Sequence, residues 1–100
     1  MARRQFQDVF PDVITKSATI DLGSAGDGDE VASDVTVPGA ALGDFVLVSC
    51  GVDVVDGQIT ATVTAANTVT IVLSSSTGGA VDLASTTYKI VVLSPRADLF

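Results

Sequence analysis

Histidine and tryptophan are absent from this 100-residue chain, and cysteine and methionine occur once each. Without imidazole, no side chain has an ordinary pKa near neutrality for general-base work, and no Cys/His zinc site can be assembled. A single cysteine forms no disulfide within the chain, and Cys50 fits a reducing compartment. Basic residues are scarce. Five of them face twelve carboxylates, for a net charge of −7 and a pI near 4.1. Such a surface repels phosphate backbones and anionic headgroups, so neither nucleic acid nor a membrane is an expected partner.

Long apolar runs are missing too. The stretch Ile90–Leu93 is far shorter than the roughly 20 residues of a spanning helix. Arg3 and Arg4 near the start are followed by no apolar region, so no secretory signal is expected. These absences point to a soluble protein that stays where it is made unless carried off in a larger particle. They also point away from an enzyme, a metal and a cofactor.

What is present is β-forming. Hydrophobic residues make up 47% of the chain and charged residues 17%, a balance that supports one folded domain with a modest core. Valine, isoleucine and threonine number 16, 5 and 11 against 7 leucines. Such branched side chains are stiff at χ1 and pack well on a pleated surface.

Residues 1–16 read as an N-terminal arm. Phe6, Val9/Phe10 and Val13/Ile14 recur at helical spacing, interrupted by Pro11, which pushes Phe10 towards extended backbone. Either the arm packs on its own domain or it docks its phenylalanines on a neighbour. Residues 17–94 read as the β domain. Ala18, Ile20 and Leu22 alternate with polar residues, as do Val31, Ser33, Val35 and Val37 up to Pro38-Gly39. Asp44 to Cys50 is apolar on both faces, which predicts a central strand.

The clearest element runs from Ile59 to Leu73. A three-residue loop with Asn67 in the left-handed region pairs Val63 with Val69, Ala61 with Ile71 and Ile59 with Leu73. Those six then share a face while threonines line the other. A short extended piece at 80–84 and a last strand from Thr86 to Leu93 follow, and a tail, 95–100, ends in Leu99-Phe100. The expected fold is all-β: a small antiparallel sandwich or barrel of about six to eight strands with an extended N-terminal arm.

Candidate chemical sites are weak. Asp27, Asp29 and Glu30 crowd one loop but match no calcium-binding spacing. Asp53 and Asp56 have nothing nearby to split their pKa values. Ser74–Ser76 lack a histidine, Thr77-Gly78-Gly79 lacks the order of a phosphate loop, and Cys50 closes a core strand.

Three stretches carry a resemblance. They are Val37-Pro38-Gly39-Ala40-Ala41-Leu42-Gly43-Asp44; Ile59-Thr60-Ala61-Thr62-Val63-Thr64-Ala65-Ala66-Asn67-Thr68-Val69-Thr70-Ile71; and Thr77-Gly78-Gly79-Ala80-Val81-Asp82 running into Tyr88-Lys89-Ile90-Val91-Val92. Val37 to Val92 resembles small proteins from the structural gene clusters of tailed bacteriophages, marine ones especially. Such proteins look like capsid decoration (cement) proteins or β-rich modules of other virion appendages. The resemblance implies a non-enzymatic building block, commonly a homotrimer, whose termini reach to neighbours. The arm 1–16 and the tail 94–100 fall outside it.

The expected role is therefore to decorate and stabilise a capsid by binding the outer surface of the major capsid protein shell, as part of the virion. The alternative is a tail- or fibre-associated module that binds a host surface glycan or another virion protein. Exposed aromatics for a sugar are few, since only Phe45, Tyr88 and Phe100 lie beyond residue 16. The residues expected to meet a partner are Arg3, Arg4, Phe6, Val9, Phe10, Val13, Ile14, Leu99 and Phe100, the apolar ones because termini so rich in exposed apolar groups need a cover.

Overall fold

The computed structural model describes residues 5–76 and 78–100. Arg3 and Arg4 lie outside them. The described chain is all-β apart from a one-turn helix, α1 (Phe6–Val9), and a 3-10 turn at Ala97–Leu99. Eight strands follow α1: β1 (Asp12–Ile20), β2 (Gly23–Ala25), β3 (Glu30–Thr36), β4 (Phe45–Cys50), β5 (Gln58–Ala65), β6 (Thr68–Ser74), β7 (Val81–Leu83) and β8 (Thr86–Ser94). All pairings are antiparallel. They form a sheet β1-β8-β4, a sheet β3-β6-β5 and a small ribbon β2-β7. This is the small antiparallel β fold expected from the alternation.

The β5–β6 hairpin has the expected register, Ile59 opposite Leu73, Ala61 opposite Ile71 and Val63 opposite Val69, but not the expected three-residue loop: Ala65 pairs with Thr68, which leaves a two-residue turn at Ala66-Asn67 and a bulge at Thr64. Asn67 is left-handed at φ 63°, which its short polar side chain tolerates. Asn67 also does more. Its side-chain Oδ1 accepts the Gly39 N–H at 2.8 Å, its N–H donates to the Ala40 carbonyl, and its carbonyl accepts from Val37. The hairpin tip thus clamps the Pro38-Gly39 turn, where Gly39 has φ 94°. On the outer face Thr64 and Thr70 hydroxyls meet at 2.8 Å, and Thr70 donates to Asp34 at 2.6 Å.

The core lies between the two middle strands. Tyr88, Ile90 and Val92 of β8 are fully buried in one cluster with Val69, Ile71 and Leu73 of β6. Ala25, Val81 and Leu83 extend that cluster into the ribbon, and Val37 and Ala40 into the turn after β3.

Two expectations are corrected. The central strand of the first sheet is β8, and β4 is an edge strand with Phe45, Leu47 and Ser49 exposed on alternate positions. A strand apolar on both faces is central only when both faces are covered by the same chain. The arm also ends early: β1 begins at Asp12, so residues 12–16 belong to the sheet. The helical spacing of Val13/Ile14 therefore dissolves, because neighbours on a strand point to opposite faces. Ile14 turns inward, packs against the core and leaves the expected partner-facing set.

Candidate functional site: an aromatic platform on the outer sheet face

The register of the β1-β8-β4 sheet lays its outer side chains in rows. Val13, Leu93 and Phe45 form the row nearest the chain termini, and Thr15, Val91 and Leu47 the next. Ser17, Lys89 and Ser49 follow, and then Thr19 opposite Thr87, their hydroxyls 3.2 Å apart. The face thus grades from apolar to polar along the strands.

Both terminal segments lie over the apolar end. Pro11 stops α1, and Phe10 before it leaves the helical region (φ −123°, ψ 81°), as the steric clash with a following proline requires. Arg96 joins the two termini: its N–H donates to the Val9 carbonyl at 2.8 Å and its Nη1 to the Asp8 carbonyl at 3.3 Å. Its guanidinium also grips Asp98 through two 2.8 Å bonds, a planar match that lysine cannot make. Leu93 is buried despite its outward register, as expected beneath such a cover.

All four phenylalanines of the chain meet here. Phe6 tilts against Phe10 with ring centroids 5.2 Å apart. Phe10 meets Phe45 edge-on at 5.5 Å, and Phe45 meets Phe100 at 5.8 Å. These are favourable aromatic geometries. Even so, Phe6, Phe45 and Phe100 remain 56%, 46% and 75% exposed, beside Val13 and Leu47 at 49% and 60%. At about 200 Å² per aromatic ring, the three rings leave roughly 350 Å² open. Val13 and Leu47 add about 100 Å². Since interfaces are about 57% apolar, such a patch is the apolar part of an interface of about 800 Å² per partner, the standard size.

Of the residues expected to meet a partner, the structure gathers Phe6, Phe10, Val13 and Phe100 on this platform. Val9 and Leu99 are half-buried at its rim, Ile14 faces the core, and Arg3 and Arg4 lie outside the described residues. Phe45 and Leu47 were missed, hidden in what read as a central strand. Their signal was the two-sided apolar pattern itself, which also arises when an edge strand presents one face to a partner.

The other polar features serve the fold. Asp27 accepts the Gly78 N–H at 3.1 Å, the Gly28 N–H donates to Ser75, and the Ser75 N–H donates to Asp29. The acidic loop and the serine loop are thus tied to each other. Among the described residues no three His, Cys, Asp or Glu side chains converge on one point. Cys50 stands opposite Tyr88 across β4 and β8. The Tyr88 hydroxyl is fully buried without a partner at hydrogen-bonding geometry. Its pKa is pushed up to about 12, first by burial and then by the Cys50 thiol beside it and by Asp21.

Compared with family models, with curated proteins and with solved structures, the chain has no match.

Proposed function

We propose that this protein is a non-enzymatic structural component of a bacteriophage virion, binding the outer surface of the major capsid protein shell through the aromatic platform. The observation that carries the reading is the placement of all four phenylalanines in one run of ring contacts on an exposed sheet face. A core does not need them there, and a solvated face does not tolerate them without purpose. Covering about 450 Å² of apolar surface is worth about 11 kcal/mol before the cost of association. That cost takes 4 to about 15 kcal/mol, so one contact holds weakly. Many copies on one shell hold firmly through effective concentration.

The glycan-binding alternative fits less well. Sugars need hydrogen-bonding groups around the rings, whereas Arg96 and Asp98 beside them are engaged with each other. The resemblance to phage structural proteins supplies the shell as partner, and the platform supplies the means.

The test is co-sedimentation with undecorated shells. Phe45→Ser/Phe100→Ser, checked for fold by circular dichroism, is expected to stay in the supernatant while the unaltered protein pellets with shells. Thr62→Lys, on the outer face of the other sheet, is expected to bind normally. Equal binding by the double variant would remove the platform from the reading.

A further inference from the structure

The two sheets meet where β4 lies beside β5, which leaves β1 and β3 ending their rows on the other side. Among the described residues neither has a sheet partner beyond β8 and β6 respectively, although β2 lies close to β3 across the turn closed by the Asp29 N–H on the Gly26 carbonyl. The two edges differ in charge: β3 carries Glu30 and Asp34 and no basic residue, whereas on β1 Asp12 and Lys16 balance, with Lys89 one strand in and Asp21 just past its end.

On β1, the inward positions are Ile14, Lys16, Ala18 and Ile20. Three of them pack against the core, whereas Lys16 is exposed although its partner Ile90 is buried. An inward-pointing lysine at the middle of a nine-residue edge strand blocks pairing with an arbitrary apolar strand. Lys89 lies one strand in, opposite Ser17 on the outer face, and the small serine leaves its ammonium a path to the edge. These are the chain's only two lysines. Both line a groove of about 620 Å³ with Thr15, Ser17, Ile90 and Val91, and neither makes an ion pair or hydrogen bond among the described residues.

At the mouth of β3 stand Asp29 and Glu30, the only consecutive carboxylates in the sequence. Both are exposed and line a recess of about 510 Å³ with Gln58 and Ser74–Ser76. Consecutive residues of an extended segment point to opposite faces. A segment added to β1 with two adjacent carboxylates therefore offers one to Lys16 on the inner face and one to Lys89 on the outer face.

We infer that the β1 edge of one copy of this chain pairs with the β3 edge of a second copy, Lys16 and Lys89 of the first meeting Asp29 and Glu30 of the second. The contact is heterologous, so the first copy keeps its β3 edge free and the second its β1 edge, and association closes a ring or continues as a chain. Main-chain bonds along the joined edges supply affinity, and the charges exclude wrong registers and wrong partners. The inference does not rest on shell binding and stands or falls apart from it.

Sedimentation velocity with charge-swapped variants tests it. The unaltered protein is expected to self-associate with rising concentration and to dissociate as salt is raised. Lys16→Glu/Lys89→Glu alone, and Asp29→Lys/Glu30→Lys alone, are each expected to associate about tenfold more weakly or worse. A mixture of the two is expected to recover association, because each reversed edge then meets an edge of opposite sign. Circular dichroism of both variants establishes that the fold is kept. A monomer at every concentration up to about 1 mM, or a mixture no more associated than its components, overturns the inference and leaves Lys16 as an edge guard alone.

Discussion

Replacing Tyr88 by phenylalanine is expected to stabilise this protein and to flatten the alkaline side of its stability profile. The Tyr88 ring is buried, and the one polar neighbour of its hydroxyl is the Cys50 thiol, a weak partner that stands short of hydrogen-bonding geometry. A buried hydroxyl without a partner costs about 1–3 kcal/mol of desolvation. Removing it should therefore yield about 1 kcal/mol, or about 4–8 °C in melting temperature for a domain of this size. The pH dependence has a defined sign. The phenol's pKa is about 12 in the folded protein against 10.0 for the free group. Below pH 10 both states keep the proton and nothing is lost. Between pH 10 and 12 only the unfolded state releases it, so the native state loses stability, up to about 2–3 kcal/mol for a shift of two units. Lysines titrate in the same window, so the quantity to follow is the difference between the two proteins. Thermal melts monitored by circular dichroism at pH 8, 9, 10 and 11 provide it. The reasoning fails if Tyr88→Phe melts several degrees lower at pH 8, or if the two proteins decline in parallel as pH rises.

Two further substitutions probe the fold. Ile71 is fully buried at the centre of β6, between Ser33 and Ala61, and Ile71→Ala is expected to cost roughly 2–5 kcal/mol in urea unfolding, a large share of the whole. Val55 lies in the left-handed region at φ 52° in the exposed turn between β4 and β5, a strained place for a branched residue, so Val55→Asn is expected to raise stability by roughly 1–2 kcal/mol in the same assay.

The hairpin was legible because two independent signals converged on one register: strict alternation on both strands, and a spacing between them that aligns Val63 with Val69. The clamp that Asn67 places on the Pro38-Gly39 turn was not, since it joins residues 28 positions apart by a single side-chain bond. Val13/Ile14 misled because two adjacent apolar residues after Phe10 suit a helical stripe and a two-faced strand alike. Only the pairing with β8 separates them, sending Val13 to the platform and Ile14 to the core. Phe45 and Leu47 show the same degeneracy in a strand. Alternation reports which face is apolar, not whether the chain itself or another molecule covers it. The phenylalanines at the two ends of the sequence could be suspected of a partner role, but their meeting with each other over Phe45 depends on Arg96 joining the terminal segments, which no local pattern encodes.

Hydroxyl-radical footprinting, read by mass spectrometry on the free protein and on decorated shells, tests the central claim most directly. Phe6, Phe45, Leu47 and Phe100 are expected to lose most of their reactivity on the shell, while Val52 and Val55 at the far end of β4 keep theirs. Platform rings as reactive on the shell as in free solution would contradict the account, and protection confined to the threonine-lined face of the β3-β6-β5 sheet would transfer the docking role to that face.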